Sequence, residues 1–68
     1  MNEETFNLSI RKLLKVVGVS SQREIENAVA KATADGSLAG QSKFPATMTL
    51  DIAGLKLNVK FDGEIDLG

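Results

Sequence analysis

The fold of this chain is decided by the stretch MTLDIAGLKLNVKF, residues 48–61, in which two alternating apolar series meet across Ala53-Gly54. A two-residue turn at this point makes one hairpin face wholly apolar, with the facing pairs Ile52–Leu55, Leu50–Leu57 and Met48–Val59. The other face carries the polar pairs Asp51–Lys56, Thr49–Asn58 and Thr47–Lys60. Because a one-residue slip would send one apolar series to the wrong face, the pattern predicts a β-hairpin with strands at about 47–52 and 55–61.

The residues after Phe61 allow two interpretations. Asp62-Gly63 is a turn signal, and Ile65 and Leu67 then alternate with acidic residues. One interpretation is a short third strand at about 65–67, which a three-residue loop would keep on the apolar face. The alternative is a frayed chain end.

Two helices are expected before the hairpin. The first should run over about 3–17, with Asn2 as its N-cap and Gly18 at its end. The second should run over about 21–34, opening with a capping box from Ser21 to Glu24. Their apolar faces, spaced by three or four residues, are Phe6, Ile10, Leu13, Leu14 and Val17 in the first and Ile25, Ala28, Val29 and Ala32 in the second.

These elements predict an α+β domain with the two N-terminal helices packed on one face of a small antiparallel sheet. The sheet would consist of the hairpin and, in one interpretation, the short third strand. With 68 residues, the chain is expected to form one domain, 1–68.

Composition narrows the class of protein. Eight basic and nine acidic residues give a net charge of -1, which argues against a dedicated nucleic-acid surface. The chain has no cysteine and no histidine, so neither disulfides nor a thiolate or imidazole zinc site is expected. Short apolar runs and a polar start predict no membrane insertion and no signal peptide. We therefore expect a soluble, cytoplasmic protein.

Catalysis is not expected from these residues. Histidine, the commonest general base, is absent; Ser20 and Ser21 lie at a predicted helix start, and Ser37 and Ser42 lie in a predicted loop. Asp62, Glu64 and Asp66 alternate along the chain, which is more typical of a charged edge strand than of a cation site. We expect a non-enzymatic protein with no cofactor and no metal.

One surface stands out as a contact site for a partner. Helical spacing places Leu8 on the outward side of the first helix, surrounded by Arg11, Lys12 and Lys15. One interpretation of these four residues is a site that docks an acidic partner or an anionic membrane face. The alternative interpretation is an ordinary solvated helix face. The partner would be an unknown protein or a second copy of the chain, for which the sheet edge from Met48 to Ile52 is a further candidate.

The alternative function is a winged-helix-like nucleic-acid binder. Two helices followed by a hairpin would supply a reading helix and a wing, with contacts from Arg23, Lys31, Lys56 and Lys60, and also from Arg11 and Lys12. The spacing departs from the strict motif by one residue. The motif would place core positions at Glu24 and Asn27, whereas the apolar residues are Ile25 and Ala28.

Several blocks also carry a family resemblance. They are Thr5-Phe6-Asn7, Ser9-Ile10-Arg11-Lys12, Val17-Gly18-Val19, Ser21-Gln22-Arg23-Glu24-Ile25-Glu26 and Asp62-Gly63-Glu64-Ile65. Together they resemble a family of short bacterial proteins that is known only as a domain of unknown function, and the resemblance covers almost the whole chain. It implies a free-standing bacterial protein and supplies no activity, substrate or ligand.

Taken as a whole, the sequence predicts a small protein-interaction or accessory module.

Overall fold

The structure is a computed structural model that describes all residues from Met1 to Gly68. The chain divides into two units, Met1–Ser37 and Leu38–Gly68. The first unit holds helix α1 (Glu3–Asp35), and the second holds an antiparallel hairpin of strands β1 (Lys43–Ile52) and β2 (Leu57–Asp66). The predicted fold of two helices on a small sheet is therefore wrong, because there is one helix and a two-stranded hairpin. That residues 1–68 form a single domain stays a prediction.

Helix α1 is continuous for 33 residues and passes through Gly18 without a break. Gly18 is not among the glycines with positive φ, so it does not adopt the left-handed conformation of a helix end. A glycine inside a helix costs only about 1 kcal/mol relative to alanine, and the segment holds no proline that would force a stop. Ser21 and Glu24, whose spacing predicted a capping box, accordingly lie inside the helix.

The N-terminus of α1 is the one predicted from the sequence. The Asn2 carboxamide oxygen accepts a hydrogen bond from the Thr5 amide at 3.0 Å, which satisfies one of the free N–H groups of the first turn. Glu3 and Glu4 lie in that turn, where negative charge is favoured by the helix dipole. The prediction of Asn2 as N-cap is confirmed.

The C-terminus of α1 is closed by Gly36 in the left-handed conformation, with φ 75° and ψ 10°. The Ser37 amide donates to the Ala32 carbonyl at 3.0 Å, and the Gly36 amide donates to the Thr33 carbonyl at 3.4 Å. This pair of bonds is a Schellman motif, which satisfies carbonyls left free by the end of the helix. Gly36, and not Gly18, is the residue that terminates helical structure.

The hairpin keeps the predicted faces, but its register differs from the prediction by two residues. Its apolar face pairs Phe44–Ile65, Ala46–Gly63, Met48–Phe61, Leu50–Val59 and Ile52–Leu57. A single turn of 3₁₀ helix at Ala53–Leu55 and a left-handed Lys56, with φ 54°, connect the strands. The predicted two-residue turn at Ala53-Gly54 is therefore wrong, although a shift of two leaves the residues that remain in the strands on their predicted faces.

The observed register follows from strands that are longer than predicted. Because β1 begins at Lys43, Phe44 lies opposite Ile65 and Met48 lies opposite Phe61. In the predicted register Phe44 would have faced Gly63, which has no side chain to pack. Larger cross-strand pairs contribute more to a sheet, and they offset the exposure of Leu55 in the connecting turn, where its side chain is 72% exposed.

The third strand proposed for residues 65–67 is not formed. Strand β2 continues through Gly63 to Asp66 and pairs with the first part of β1. The Leu67 amide donates to the Ser42 carbonyl at 2.7 Å, which extends this pairing by one step. Asp62-Gly63 is therefore part of a strand and not a turn.

Candidate interaction surface

The continuity of α1 joins the two predicted apolar faces into one surface, the apolar stripe. Its members are Phe6, Ile10, Leu13, Leu14, Val17, Ile25, Ala28, Val29 and Ala32. At about 3.6 residues per turn they fall within about 160° of the helix circumference, an arc that also contains Asn7, Ser21 and Glu24. The stripe therefore consists of two apolar segments, 6–17 and 25–32, on the same side of α1 and about two turns apart.

Most of the apolar stripe is exposed, and only Val29 and Ala32 are half-buried. No residue of the chain is buried, and Phe6, Leu13 and Leu14 are 49%, 51% and 62% exposed. Scattered apolar residues are normal on a protein surface, whereas a contiguous apolar area marks a contact surface. The arrangement is suited to docking against another apolar surface.

The predicted contact set, Leu8 with Arg11, Lys12 and Lys15, lies along one side of α1 and is called the basic patch below. The three cations stand three, four and seven residues after Leu8, which makes them its neighbours on the helix surface. Leu8 itself is 52% exposed. Their proximity follows from the helix, and their use as a partner site stays a prediction.

Two further residues of this region were not identified from the sequence. Val19 lies eleven residues after Leu8, about three turns along the same side of a continuous helix. Val16 and Val19 line a shallow open depression together with Lys15 and Ser20. The eleven-residue spacing from Leu8 to Val19 could have identified Val19 from the sequence. This spacing places the two residues on the same side only if the helix continues past Gly18.

The residues assigned to nucleic-acid contact are divided between the two units. Arg23 and Lys31 lie on α1, Lys56 is in the connecting turn, and Lys60 is on β2 opposite Thr49. A winged-helix domain needs a helix-turn-helix to present its reading helix, and this chain has a single helix before its hairpin. The winged-helix interpretation therefore loses its structural basis.

The three alternating carboxylates lie on the polar face of β2. The Thr47 hydroxyl donates to the Asp62 carboxylate at 3.0 Å across the hairpin, and Asp66 accepts a bond from the Gly68 amide at 2.9 Å. No group of acidic side chains gathers closely enough to hold a metal ion. The contacts of Asp62 and Asp66 help to organise the hairpin and its end.

Two hydroxyl groups on α1 are hydrogen-bonded to the helix backbone. The Ser9 hydroxyl donates to the Phe6 carbonyl at 2.8 Å, and the Thr33 hydroxyl donates to the Val29 carbonyl at 2.8 Å. Such bonds to the preceding turn are common for these residues in helices. They give no sign of an activated nucleophile, which would be paired with a base.

One ionisable group has a shifted pKa. The hydroxyl of Ser37, and then its amide, hold the pKa of Asp35 below the ordinary value, and the amide bond to the carboxylate measures 2.9 Å. Hydrogen bonds that favour the charged form lower the pKa of a carboxyl group. Asp35 therefore supports the end of α1 in its ionised form.

No helix here combines the length and the apolar character needed to cross a membrane.

Comparison with known families places the whole chain in one of them. Residues 1–68 match the model of DUF6494, a family of unknown function, and the chain belongs to that family. Neither a curated protein nor a solved structure matches the chain. The resemblance to a family of unknown function is thereby confirmed, and a bacterial source stays an expectation.

Proposed function

We propose that this member of the DUF6494 family is a small, non-enzymatic protein-interaction module whose contact surface is the apolar stripe of α1. The observation that carries the proposal is that the stripe lies on the single helix of the unit Met1–Ser37, which by itself has no second element to cover the stripe. A structural role within that unit would place such a stripe inside a core. An interaction role explains why the unit carries it.

The energy available from docking supports this role. Full burial of a leucine or phenylalanine side chain contributes about 1.5–3 kcal/mol. Leu13 and Leu14 are 51% and 62% exposed, so about half of that contribution or slightly more is still available to a partner. Interfaces depend on a few well-buried anchors of this kind.

A non-catalytic role agrees with the chemistry of the chain. Without histidine or cysteine, general-base and thiolate mechanisms lack their usual side chains. The hydroxyls of Ser9 and Thr33 are bonded to backbone carbonyls. We further propose that the protein acts in the cytoplasm, since a chain without cysteine has no need of an oxidising compartment.

In-cell photo-crosslinking tests the proposal. Leu13 is replaced by benzoylphenylalanine in the full chain, which is expressed at natural level in its own cells and irradiated. Ala30, an exposed residue on the other side of α1, receives the same group as the matched control. We expect a discrete higher-mass adduct from position 13 that is absent from position 30. No intermolecular adduct from position 13, or the same adducts from both positions, would contradict the proposal.

A further inference from the structure

We infer that the free edge of strand β2 pairs with the same edge of a second copy of this chain, in antiparallel orientation and centred on Phe61. The inference concerns a different surface from the apolar stripe, so it goes beyond the proposed function and does not depend on it. Two observations carry it: the backbone groups that β2 directs away from β1, and the order of charges on the polar face of β2.

Every second residue of β2 directs its backbone groups away from β1. The Leu67 amide donates to the Ser42 carbonyl and continues the strand register, so alternate residues before Leu67 face β1 in the same way. Pro45 agrees with this alternation, because it has no N–H to donate and lies opposite Glu64, one of the residues between them. The residues that present N–H and C=O groups at the free edge are Asn58, Lys60, Asp62, Glu64 and Asp66.

The free edge of β2 is uninterrupted, whereas that of β1 is not. Strand β2 contains no proline, and its register with β1 has no bulge. Each outward residue of β2 can therefore both donate and accept a hydrogen bond. On β1, Pro45 is one of the outward residues and cannot donate. Because proline and bulges are the means by which many proteins protect a sheet edge, the β2 edge is the one open to pairing.

The chain has no strand of its own to pair with the β2 edge. Its two strands are already paired with each other, and the backbone groups along α1 bond within the helix. A helix cannot supply the ladder of hydrogen bonds that a strand edge accepts, from whatever side it approaches. The element that satisfies this edge is therefore a strand of another molecule.

The order of charges makes the β2 edge complementary to itself. In an antiparallel pair centred on Phe61, Lys60 of each copy faces Asp62 of the other, on both sides of the two-fold axis. Opposite charges on facing strands stabilise a sheet, and like charges directly opposite each other destabilise it. Within the chain, Lys60 and Asp62 face only the threonines Thr49 and Thr47 of β1. A second copy thus supplies the opposite charges that β1 does not.

The other alignments of two β2 edges are less favourable. A pair centred on Lys60 sets two lysines against each other, and a pair centred on Asp62 sets two aspartates against each other. A pair centred on Val59 avoids like charges but overlaps only over residues 57–61, whereas the inferred pair overlaps over residues 57–65. The charges of β2 therefore oppose indiscriminate pairing of the edge and favour one alignment.

The inferred alignment also keeps the apolar face continuous. Because the two-fold axis is perpendicular to the sheet, the apolar faces of both hairpins lie on the same side. The two Phe61 residues are neighbours across the axis, and Leu57 faces Ile65 of the other copy. Aromatic and large aliphatic cross-strand pairs contribute to sheet stability. The product is a four-stranded antiparallel sheet in the order β1–β2–β2–β1 with one apolar face.

Cysteine crosslinking of the full chain tests the alignment. The protein has no cysteine, so each engineered residue is the only thiol of its chain. Val59→Cys and Gly63→Cys face each other across the inferred interface as a pair without mutual backbone bonds, about 4.5 Å apart between Cα atoms, which is within reach of a disulfide. A Cβ at position 63 meets no atom within 4 Å.

The matched control is a mixture of Ala46→Cys and Val59→Cys. Ala46 lies opposite Gly63 on the same face of the hairpin. In the inferred dimer it is two strands away from Val59 of the other copy, about 10 Å, which is too far for a disulfide. Under mild oxidation we expect Val59→Cys and Gly63→Cys to crosslink when mixed and not when alone. The control mixture should not crosslink.

Sedimentation equilibrium tests the dimer and its charge pairs. The natural chain should give a species of twice the 7.3 kDa chain mass. Lys60→Glu sets two carboxylates opposite each other on both sides of the axis and should raise the Kd of the dimer about tenfold or more. Lys31→Glu, on α1, makes the same change in net charge outside the strand and should leave the Kd unchanged. Circular dichroism verifies that each variant keeps its secondary structure.

Four results would overturn the inference. A monomer at all concentrations means that the edge is free or is used by a strand of a different protein. Equal effects of Lys60→Glu and Lys31→Glu mean that the copies meet through another surface. Crosslinking of the control mixture means non-specific contact, and crosslinking of Val59→Cys with itself means the alignment centred on Val59. None of these results bears on the proposed function, which is tested separately at Leu13.

Discussion

Thr47 and Asp62 lie opposite each other in the hairpin, and the Thr47 hydroxyl donates a hydrogen bond to the Asp62 carboxylate at 3.0 Å. The bond is specific to the observed register, because the register predicted from the sequence placed Lys60 opposite Thr47. It lies on the polar face, behind the apolar pairs of the other face. The polar and apolar faces thus specify the same alignment of the strands.

The register is open to direct measurement. We expect backbone nuclear Overhauser effects between Leu50 and Val59 and between Met48 and Phe61, because these residues face each other across the strands. Effects that pair Leu50 with Leu57 instead would mean that the two-residue turn at Ala53-Gly54 is formed after all.

Replacing Gly18 with alanine distinguishes one helix from two. A Cβ at position 18 meets no atom within 4 Å, and alanine is favoured over glycine inside a helix by about 1 kcal/mol. We expect Gly18→Ala to raise the free energy of unfolding by about that amount, measured by urea denaturation followed by circular dichroism.

The matched control for this change is Gly36→Ala. Gly36 has φ 75°, a conformation that costs alanine about 1 kcal/mol or more, so this variant should be less stable than the natural chain. Destabilisation by Gly18→Ala as well would indicate that Gly18 ends a helix.

The N-terminal cap of α1 should contribute measurably to stability. Asn2→Ala removes the acceptor of the Thr5 amide, and loss of such a cap costs about 1 kcal/mol. Asn27→Ala, at an exposed position inside α1, should leave stability unchanged or raise it slightly because alanine is the better helix former. The stability of both variants is measured by thermal unfolding. An equal loss of stability in the two variants would argue against a stabilising cap at Asn2.

The end of α1 should respond to acid through Asp35. Its pKa is lowered by Ser37, so the ionised carboxylate stabilises the folded state above the unfolded-state pKa. That stability is lost as the pH falls from the unfolded-state pKa through the lower folded-state pKa. Ser37→Ala should raise the Asp35 pKa toward the ordinary value, measured by carboxyl NMR titration. The control Ser42→Ala should leave the Asp35 pKa unchanged. If the Asp35 pKa in Ser37→Ala equals that of the natural chain, the assignment to Ser37 is contradicted.

Periodicity and capping chemistry made part of the fold predictable from the sequence. The Asn2 cap was predicted because a capping side chain acts within one turn of itself. The hairpin faces were predicted because side chains alternate along a strand, and a shift of two residues preserves that alternation. Leu8 and its cations lie on one side of α1 because three- and four-residue spacings hold in any helix, whereas their use as a contact site stays a prediction.

The other features of the fold could not be predicted, because at those positions a local preference is outweighed by interactions with the neighbouring segments. Gly18 favours a helix end by only about 1 kcal/mol, and the helix on either side outweighs it. Gly63 favours a turn, but the pairing of Phe44 with Ile65 keeps it in a strand. Val19 was missed because its relation to Leu8 exists only in an uninterrupted helix, whereas Val16 lay inside the predicted first helix and was overlooked.

The central claim is that one unbroken helix presents the apolar stripe, and backbone NMR of residues 17–21 tests it most directly. We predict helical Cα shifts at Gly18, Val19 and Ser20, with sequential amide contacts from Val17 through Ser21. Non-helical shifts at Gly18 to Ser20, with amide contacts broken there, would contradict the claim and separate the stripe into two unrelated faces.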